Sequence, residues 1–162
     1  MSKERKERKP RYFSNLLDSD TEEITESQIN ILKSILTETL TPQITNGSWC
    51  PSCVVYKQSY PVSYLIKNLL GGEILQCPTK KGDFHYWNIL PTDDEIDLTY
   101  EGLLYGGDTL IYDAVDILEE ESMSYTSIDE AHRFSLLQSN TESVIYSYGV
   151  ETLSELMELY RC

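Results

Sequence analysis

Three polar residues in the middle of the chain have the types and the order needed for nucleophilic chemistry: Ser59, His85 and Asp97. Ser59 opens the segment SYPVSYLIKNLLGG, whose Pro61 suits the first turn of a helix. A residue at a helix N-terminus faces unsatisfied backbone N–H groups and the positive end of the helix dipole, which favour an anionic nucleophile and can bind an oxyanion. Serine is also a preferred N-cap residue, so Ser59 could simply cap this helix.

His85 and Asp97 belong to a predicted β-hairpin with the strands FHYWNIL and EIDLT. In the connecting PTDD, Pro91 suits the second turn position and Asp93 a left-handed one, which predicts a three-residue loop made of a type I turn and a bulge. This register pairs His85 with Thr99 and makes His85 and Asp97 diagonal neighbours. A loop of two or four residues would instead put them on opposite faces.

Because strand side chains alternate, this register predicts one face that carries His85, Trp87 and Asp97. On that face, Asp97 would hold the imidazole in one tautomer, His85 would accept the proton of the nucleophile, and Trp87 would shield the site. The alternative is a purely structural His–Asp pair. The other face is predicted to be core and carries Tyr86, Leu90, Ile96 and Leu98.

Two helices are predicted before the hairpin. TESQINILKSILTETLTP has Thr25 and Gln28 at capping-box spacing and is followed by a predicted loop over residues 41–57. Gly71-Gly72 ends the second helix, and Glu73 to Cys77 is predicted to be a strand. The apolar stripes of the two helices are Ile29, Leu32, Ile35, Leu36 and Leu40 in the first, and Val62, Leu65, Ile66 and Leu69 in the second.

The C-terminal third is less regular. LLYGGDTLIYDAVDI is ambiguous between helix and loop, and SIDEAHRFSLLQS has Ser127 and Glu130 at capping-box spacing. TESVIYSYGVETLSELMELY is predicted to be one long helix, with a strand at SVIYSYGV as the alternative. The predicted class is α+β, with the nucleophile-bearing helix packed on a small antiparallel sheet and helices at the C-terminus. We predict a basic flexible tail over residues 1–20 and a single domain over 21–162.

Charge is unevenly distributed along the 162 residues, whose formal net charge is −14. Residues 1–11 contain six basic and two acidic residues, which leaves seven basic and 25 acidic residues in the rest. An acidic body repels phosphates, so no nucleic-acid partner is expected. No apolar run reaches the roughly 20 residues of a membrane span and no signal peptide is visible, so we expect no membrane partner and a cytoplasmic location.

The four cysteines do not define a metal or redox site by their spacing. CPSC makes Cys50 and Cys53 a Cys-x-x-Cys pair, which could act in redox chemistry or, with Cys77 and His85, supply four zinc ligands. No second Cys-x-x-Cys exists, and the intervals match no compact zinc module. We therefore expect ordinary thiols, no metal and no cofactor.

The central segment resembles the bacterial YunG-like family of small proteins. The family pattern runs roughly G-Q-C-A-V-T-A-x-x-x-x-D-x-x-G-G-E-I, then H-Y-W-N-x-L-P-D-G-x-E-x-D-L-T. KQSYPVSYLIKNLLGGEI and HYWNILPTDDEIDLT follow it. The resemblance extends from about Ile31 to Thr99 and is weak before Gln58. The His-x-Trp and Asp-x-Thr elements are also similar to those of transglutaminase-like and papain-like cysteine enzymes, which implies a core of that type.

The resemblance also implies roles for individual residues. His85 and Asp97 match the family His and Asp, and Gln58 matches the family Gln. Asn88 matches the family Asn and is an alternative residue for orienting the imidazole. Ser59 falls on the family Cys. A serine hydroxyl gives up its proton far less readily than a thiol, so this His–Asp pair would activate it poorly.

Four explanations of the serine are open: a Cys→Ser variant made to trap substrate or silence an enzyme, a natural pseudoenzyme, a natural serine enzyme, or a misalignment that hides Cys53 as the nucleophile.

The leading expectation is a cysteine-hydrolase-like acyl-transfer enzyme (protease, isopeptidase, deamidase or transglutaminase type) acting on a protein or peptide, inactive as written because of Ser59. The alternative is a non-catalytic protein-binding module, either a pseudoenzyme or an acidic inhibitor, for instance in phage–host conflict. The oligomeric state does not follow from the sequence.

Overall fold

Five α-helices and a four-stranded antiparallel sheet form the part of the chain described by the computed structural model, residues 23–45, 47–119 and 127–161. The predicted α+β class is confirmed, whereas the predicted tail at 1–20 lies outside these ranges. No helix within them is long and apolar enough to cross a membrane. The helices are α1 (Glu26–Thr39), α2 (Ser59–Leu70), α3 (Tyr100–Tyr105), α4 (Ile128–Ser147) and α5 (Leu153–Leu159). The strands are β1 (Glu73–Pro78), β2 (Phe84–Ile89), β3 (Glu95–Ile96) and β4 (Asp116–Ile117), in the spatial order β3-β2-β1-β4.

The capping box predicted at the start of α1 is confirmed. Thr25 Oγ1 accepts a hydrogen bond from the Gln28 N–H at 3.1 Å, and Gln28 Oε1 accepts one from the Thr25 N–H at 2.9 Å. Gln28 is buried and also donates from Nε2 to the carbonyl of Met157 in α5, at 2.7 Å. In the apolar stripe, Ile29 is only partly buried and Ile31 is buried as well. The cap thus also ties the first helix to the last.

β2 and β3 form the predicted hairpin in the predicted register. Asn88 pairs with Ile96, and the Leu90 N–H donates to the Asp94 carbonyl at 2.8 Å. Asp93 has a left-handed φ of 72°, as the turn-plus-bulge loop requires. Turn chemistry therefore set the register, and with it the face on which each side chain lies.

The second strand of this hairpin is shorter than predicted. It ends at Ile96, because Asp97 leaves the ladder and its Oδ1 accepts a hydrogen bond from the Thr99 N–H at 3.1 Å. Thr99 is then the N-cap position of α3. The strand predicted over EIDLT is therefore correct for its first two residues only.

The ambiguous segment after the hairpin contains α3, a short 3₁₀ helix at Tyr112–Ala114 and strand β4. β4 was not predicted, and it extends the sheet by pairing Leu75 with Ile117 and Gln76 with Asp116. A strand of two residues is too short for an alternating pattern to reveal it.

The C-terminal third is divided differently from the prediction. α4 begins after Ser127, whose hydroxyl caps it as predicted, and continues to Ser147, so the strand alternative at SVIYSYGV is wrong. The single long helix over TESVIYSYGVETLSELMELY is also wrong. Gly149 has a left-handed φ of 83°, which stops a helix, and α5 starts after the new N-cap Thr152.

The sheet separates two apolar cores. The larger core packs α1, α2, α4 and α5 against one face of the hairpin and contains Leu90, Ile96 and Leu98, as predicted. Tyr86, predicted to be core with them, is only partly buried and is not part of this core. The smaller core lies on the opposite face, where His85 and Trp87 are also buried. Its buried apolar members are Leu75, Cys77, Trp87, Ile89 and Leu110.

The two glycines between α2 and β1 have different functions. Gly71 has φ 81° and closes the last turn of α2 as its C-cap. Gly72 has φ 87°, and a Cβ atom there would overlap the carbonyl oxygen of Ile89 in β2. The sequence predicted a helix stop for both, but Gly72 is required by the close approach of two backbones.

Replacing Gly72 by alanine is therefore expected to destabilise the fold far more than the same change at Gly82. Gly82 has φ 91° but open space around its Cβ direction, so Gly82→Ala should lower the free energy of unfolding by about 1 kcal/mol from backbone strain alone. Gly72→Ala adds steric overlap and should cost about 2–3 kcal/mol more. Urea denaturation measures both. Equal losses would show that the backbone approach at Gly72 relaxes without cost.

Candidate active site

His85 and Asp97 form a buried hydrogen-bonded pair. His85 Nε2 lies 2.7 Å from Asp97 Oδ2, and the two side chains are only 5% and 8% exposed. Because a carboxylate can only accept, Nε2 is the protonated ring nitrogen. His85 Nδ1 has no hydrogen-bond partner in the described part of the chain. Nδ1 is therefore the ring atom left to exchange a proton with another group.

Trp87 covers one side of this pair. The rings of His85 and Trp87 stack with centroids 5.9 Å apart and an interplanar angle of 28°. Asp97 is held at the same time by its own turn, through the Thr99 N–H. The orientation of the imidazole is thus fixed by a carboxylate, by an aromatic plane and by the strand that carries it.

A cavity of about 560 Å³ lies where β2 begins and includes both Ser59 and His85 in its lining. It also contacts Phe84 and Tyr86, so three consecutive residues of β2 border it. Consecutive strand residues point to opposite faces, so the cavity extends around the start of the strand rather than lying on one face. Asp97 does not line this cavity, so His85 lies between it and the carboxylate.

Ser59 and His85 reach this cavity from opposite faces of the sheet. α2 packs on the face of Tyr86 and Asn88, since the Tyr60 and Tyr86 rings meet at 5.0 Å. His85 lies on the other face. The Ser59 side chain has no hydrogen bond to His85 or to another residue within the described ranges. The expected hydrogen bond between Ser59 and His85 is therefore not made here.

Ser59 is the first helical residue rather than the N-cap, which is Gln58. The prediction that its hydroxyl caps the helix is therefore wrong. At the first helical position, the Ser59 N–H has no acceptor within the helix. The backbone of residue 59 thus offers a hydrogen-bond donor beside the cavity that the Ser59 side chain lines.

Asn88 does not orient His85, and that alternative is wrong. Residues 85 and 88 point to opposite faces of β2, and the buried Asn88 Nδ2 donates to the carbonyl of Ser63 in α2 at 2.8 Å. This bond joins the helix that carries Ser59 to the strand that carries His85. The function of Asn88 in the structure is to set the distance between the two elements.

Gln58 also acts on the scaffold and not in the cavity. Its Nε2 donates to Ser48 Oγ at 2.9 Å and to the Tyr56 carbonyl at 3.4 Å, and Gln58 is absent from the cavity lining. These bonds fasten the loop over residues 41–57 to the start of α2. Gln58 is thus a positioning residue for the first turn of that helix.

This loop and α3 contribute a wall of the cavity that the sequence patterns did not indicate. Tyr56 and Lys57 line the cavity from the loop, and Lys81 and Asp108 line it as well. Lys57 has a left-handed φ of 59°, at the position where the quoted family pattern has glycine. That glycine was the signal that could have identified a special backbone position. Lys81 donates from Nζ to the Gly106 carbonyl and from its N–H to Asp108.

The cysteines lie outside this arrangement. Cys53 is not among the residues that line the cavity, so it does not replace Ser59 there. Cys77 is paired with His85 across β1 and β2, but its thiol donates to the Ile111 carbonyl at 3.1 Å. The zinc alternative is not supported, because the described residues contain no cluster of three or more His, Cys, Asp or Glu placed to hold a metal.

The buried His85–Asp97 pair should be strongly coupled in a double-mutant cycle, in contrast with an exposed pair. Alanine substitutions of His85 and Asp97 should show a coupling energy of about 2 kcal/mol, because a charge-assisted hydrogen bond is shielded from water. The matched control is the Lys33–Glu101 ion pair, 3.3 Å long with side chains 41% and 70% exposed, which should couple by less than about 0.5 kcal/mol. Urea unfolding of the variants measures both, and similar couplings would contradict the expected shielding.

The comparison with known proteins identifies the family of this chain. The family model described as YunG protein matches residues 25–146. This range includes the hairpin, α2 and all the residues of the candidate site. No curated protein and no solved structure matches the chain in the corresponding searches. The chain therefore belongs to the YunG protein family.

Proposed function

We propose that the cavity at the start of β2 is the cleft of an acyl-transfer scaffold of the papain-like or transglutaminase-like type. With Ser59 at the nucleophile position, the chain binds a carbonyl substrate with little turnover. The observation that carries the proposal is that Ser59, in the first turn of α2, and His85, backed by Asp97, line one cavity.

The chemistry divides among three groups. A nucleophile at residue 59 attacks the substrate carbonyl, and its proton passes to Nδ1 of His85. Asp97, which accepts from Nε2, stabilises the imidazolium that forms. The Ser59 N–H donates to the oxyanion, because it has no acceptor within α2. A rotation of the residue-59 side chain, or a small shift of α2 along β2, is needed to bring the nucleophile to Nδ1.

The serine accounts for the low turnover that we propose. A thiol at the start of α2 would be ionised by the helix N-terminus and the imidazole, whereas a hydroxyl keeps its proton until a base removes it during attack. That base is not engaged here, since Ser59 makes no hydrogen bond to His85. The chain thus has the groups that orient the imidazole but lacks an activated nucleophile.

A protein or peptide is the substrate class that best suits the lining. The volume of about 560 Å³ is in the range of ligand-binding pockets. Its aromatic lining includes Phe84, which is 55% exposed and available to a partner. Proteolysis, isopeptide cleavage, deamidation and acyl transfer share the first acyl step and differ in the group that attacks next. The other aromatic lining residues are Tyr56, Tyr60 and Tyr86.

A second candidate function is the capture of a protein partner without chemistry. It is favoured by the separation of Ser59 and His85 onto opposite faces and by the aromatic surface around the cavity. Tyr105, which packs on Tyr56 at 5.3 Å, is 52% exposed next to that surface. Tyrosine and phenylalanine are enriched where proteins bind one another.

Thiol labelling of a Ser59→Cys variant separates the two functions. If residue 59 is a nucleophile position, its thiol should be alkylated at pH 6–7 at least about tenfold faster than Cys53 and Cys77, because the imidazole and the helix N-terminus stabilise its thiolate. Peptide mass spectrometry resolves the sites in one sample. The same variant with His85→Ala should lose this advantage.

The matched control is Ser59→Cys combined with His132→Ala, which removes the other histidine of the chain, on the exposed side of α4. It should leave the labelling rate of residue 59 unchanged. If residue 59 labels no faster than the buried Cys77, or if His85→Ala has no effect, the acyl-transfer proposal is wrong and partner capture remains.

A further inference from the structure

The CPSC segment, which the proposed function does not use, folds into a tight turn with two free thiols. The Cys53 N–H donates to the Cys50 carbonyl at 3.1 Å, and Pro51 occupies the second position of this turn. Such a turn holds its first and fourth Cα atoms within about 7 Å of each other. A disulfide spans Cα separations of roughly 4.4–6.8 Å, so Cys50 and Cys53 can be joined with little backbone movement.

The two thiols lie in different surroundings. Cys50 Sγ is 3.1 Å from the Tyr105 hydroxyl in α3, and this hydrogen bond lowers the pKa of Cys50 and raises the pKa of Tyr105. Both directions fit a tyrosine that keeps its proton and donates it to a thiolate. Burial raises the pKa of Cys53 instead. The surroundings of Cys50 thus favour its thiolate, whereas those of Cys53 favour its thiol.

We propose that Cys50 and Cys53 form a thiol–disulfide exchange site whose co-substrate is a low-molecular-weight disulfide, with Cys50 as the attacking thiol and Cys53 as the resolving thiol. The Cys50 thiolate attacks one sulfur of the disulfide RSSR, forms the mixed disulfide and releases one RS⁻. Cys53 then loses its proton and attacks the Cys50 sulfur, which forms the Cys50–Cys53 disulfide and releases the second RS⁻. Two protein thiols are oxidised and RSSR is reduced to two thiols.

This site adjoins the cavity but does not depend on the acyl-transfer proposal. Tyr105, the partner of Cys50, packs edge-on against Tyr56, which lines the cavity. Formation of the disulfide converts the thiol that Tyr105 hydrogen-bonds into a disulfide sulfur. Tyr105 joins the turn to Tyr56 in the wall of the cavity.

Equilibration of the full chain with mixtures of reduced and oxidised glutathione tests the site. After acid quenching and alkylation, peptide mass spectrometry should find a Cys50–Cys53 disulfide, with Cys77 still alkylatable. Cys53→Ser should stop at the mixed disulfide and accumulate glutathione on Cys50. Cys50→Ser should form mixed disulfide at Cys53 at least about tenfold more slowly, because its thiolate fraction is lower.

Tyr105→Phe gives a readout that a merely exposed cysteine pair would not show. Without the hydroxyl, the midpoint of the rate–pH profile for Cys50 alkylation should move to higher pH, and the rate at pH 7 should fall several-fold. Tyr146→Phe removes another exposed tyrosine hydroxyl, from α4, and should change neither. The proposal is overturned if no Cys50–Cys53 disulfide forms, or if Tyr105→Phe and Tyr146→Phe leave equal profiles.

Discussion

The hydrogen bond between His85 and Asp97 determines the shape of the region around the candidate site. Asp97 cannot both continue β3 and turn back to bind the imidazole and the Thr99 N–H, so the strand ends after two residues. The first half of β2 is then left without a β3 partner, and α3 starts at once. Thr99, which the predicted register pairs with His85, instead lines the cavity together with it. A single buried polar pair thus shortens the sheet, orients the histidine and opens the cleft.

The position of α2 depends on a second set of contacts, made at its two ends and in its middle. Gly72 allows the chain after α2 to approach the β2 backbone, and the Asn88 amide holds the Ser63 carbonyl in the middle of the helix. Gln58 joins the first turn to the preceding loop. None of these contacts uses a charged side chain, so they specify where residue 59 lies without placing any charge in the cavity.

The groups on which the two proposals rest lie in different surroundings. The groups that orient the imidazole are all buried, whereas residue 59 and the CPSC turn are at least partly exposed. Under the proposed function, a single substitution at residue 59 removes the nucleophile and leaves the buried His85–Asp97 pair in place.

Local patterns in the sequence determined four features: the α1 capping box, the end of α2 at Gly71, the hairpin register and the His85–Asp97 pair. Each of them depends on residues close together in the chain or on one turn of known geometry. Tertiary structure alone decided what lies on each face: α2 packs opposite His85, Asn88 binds a helix carbonyl, and a two-residue β4 completes the sheet. Strand alternation states which side chains share a face, but not which element covers it. That choice depends on long-range packing, whose energy is spread over residues far apart in sequence.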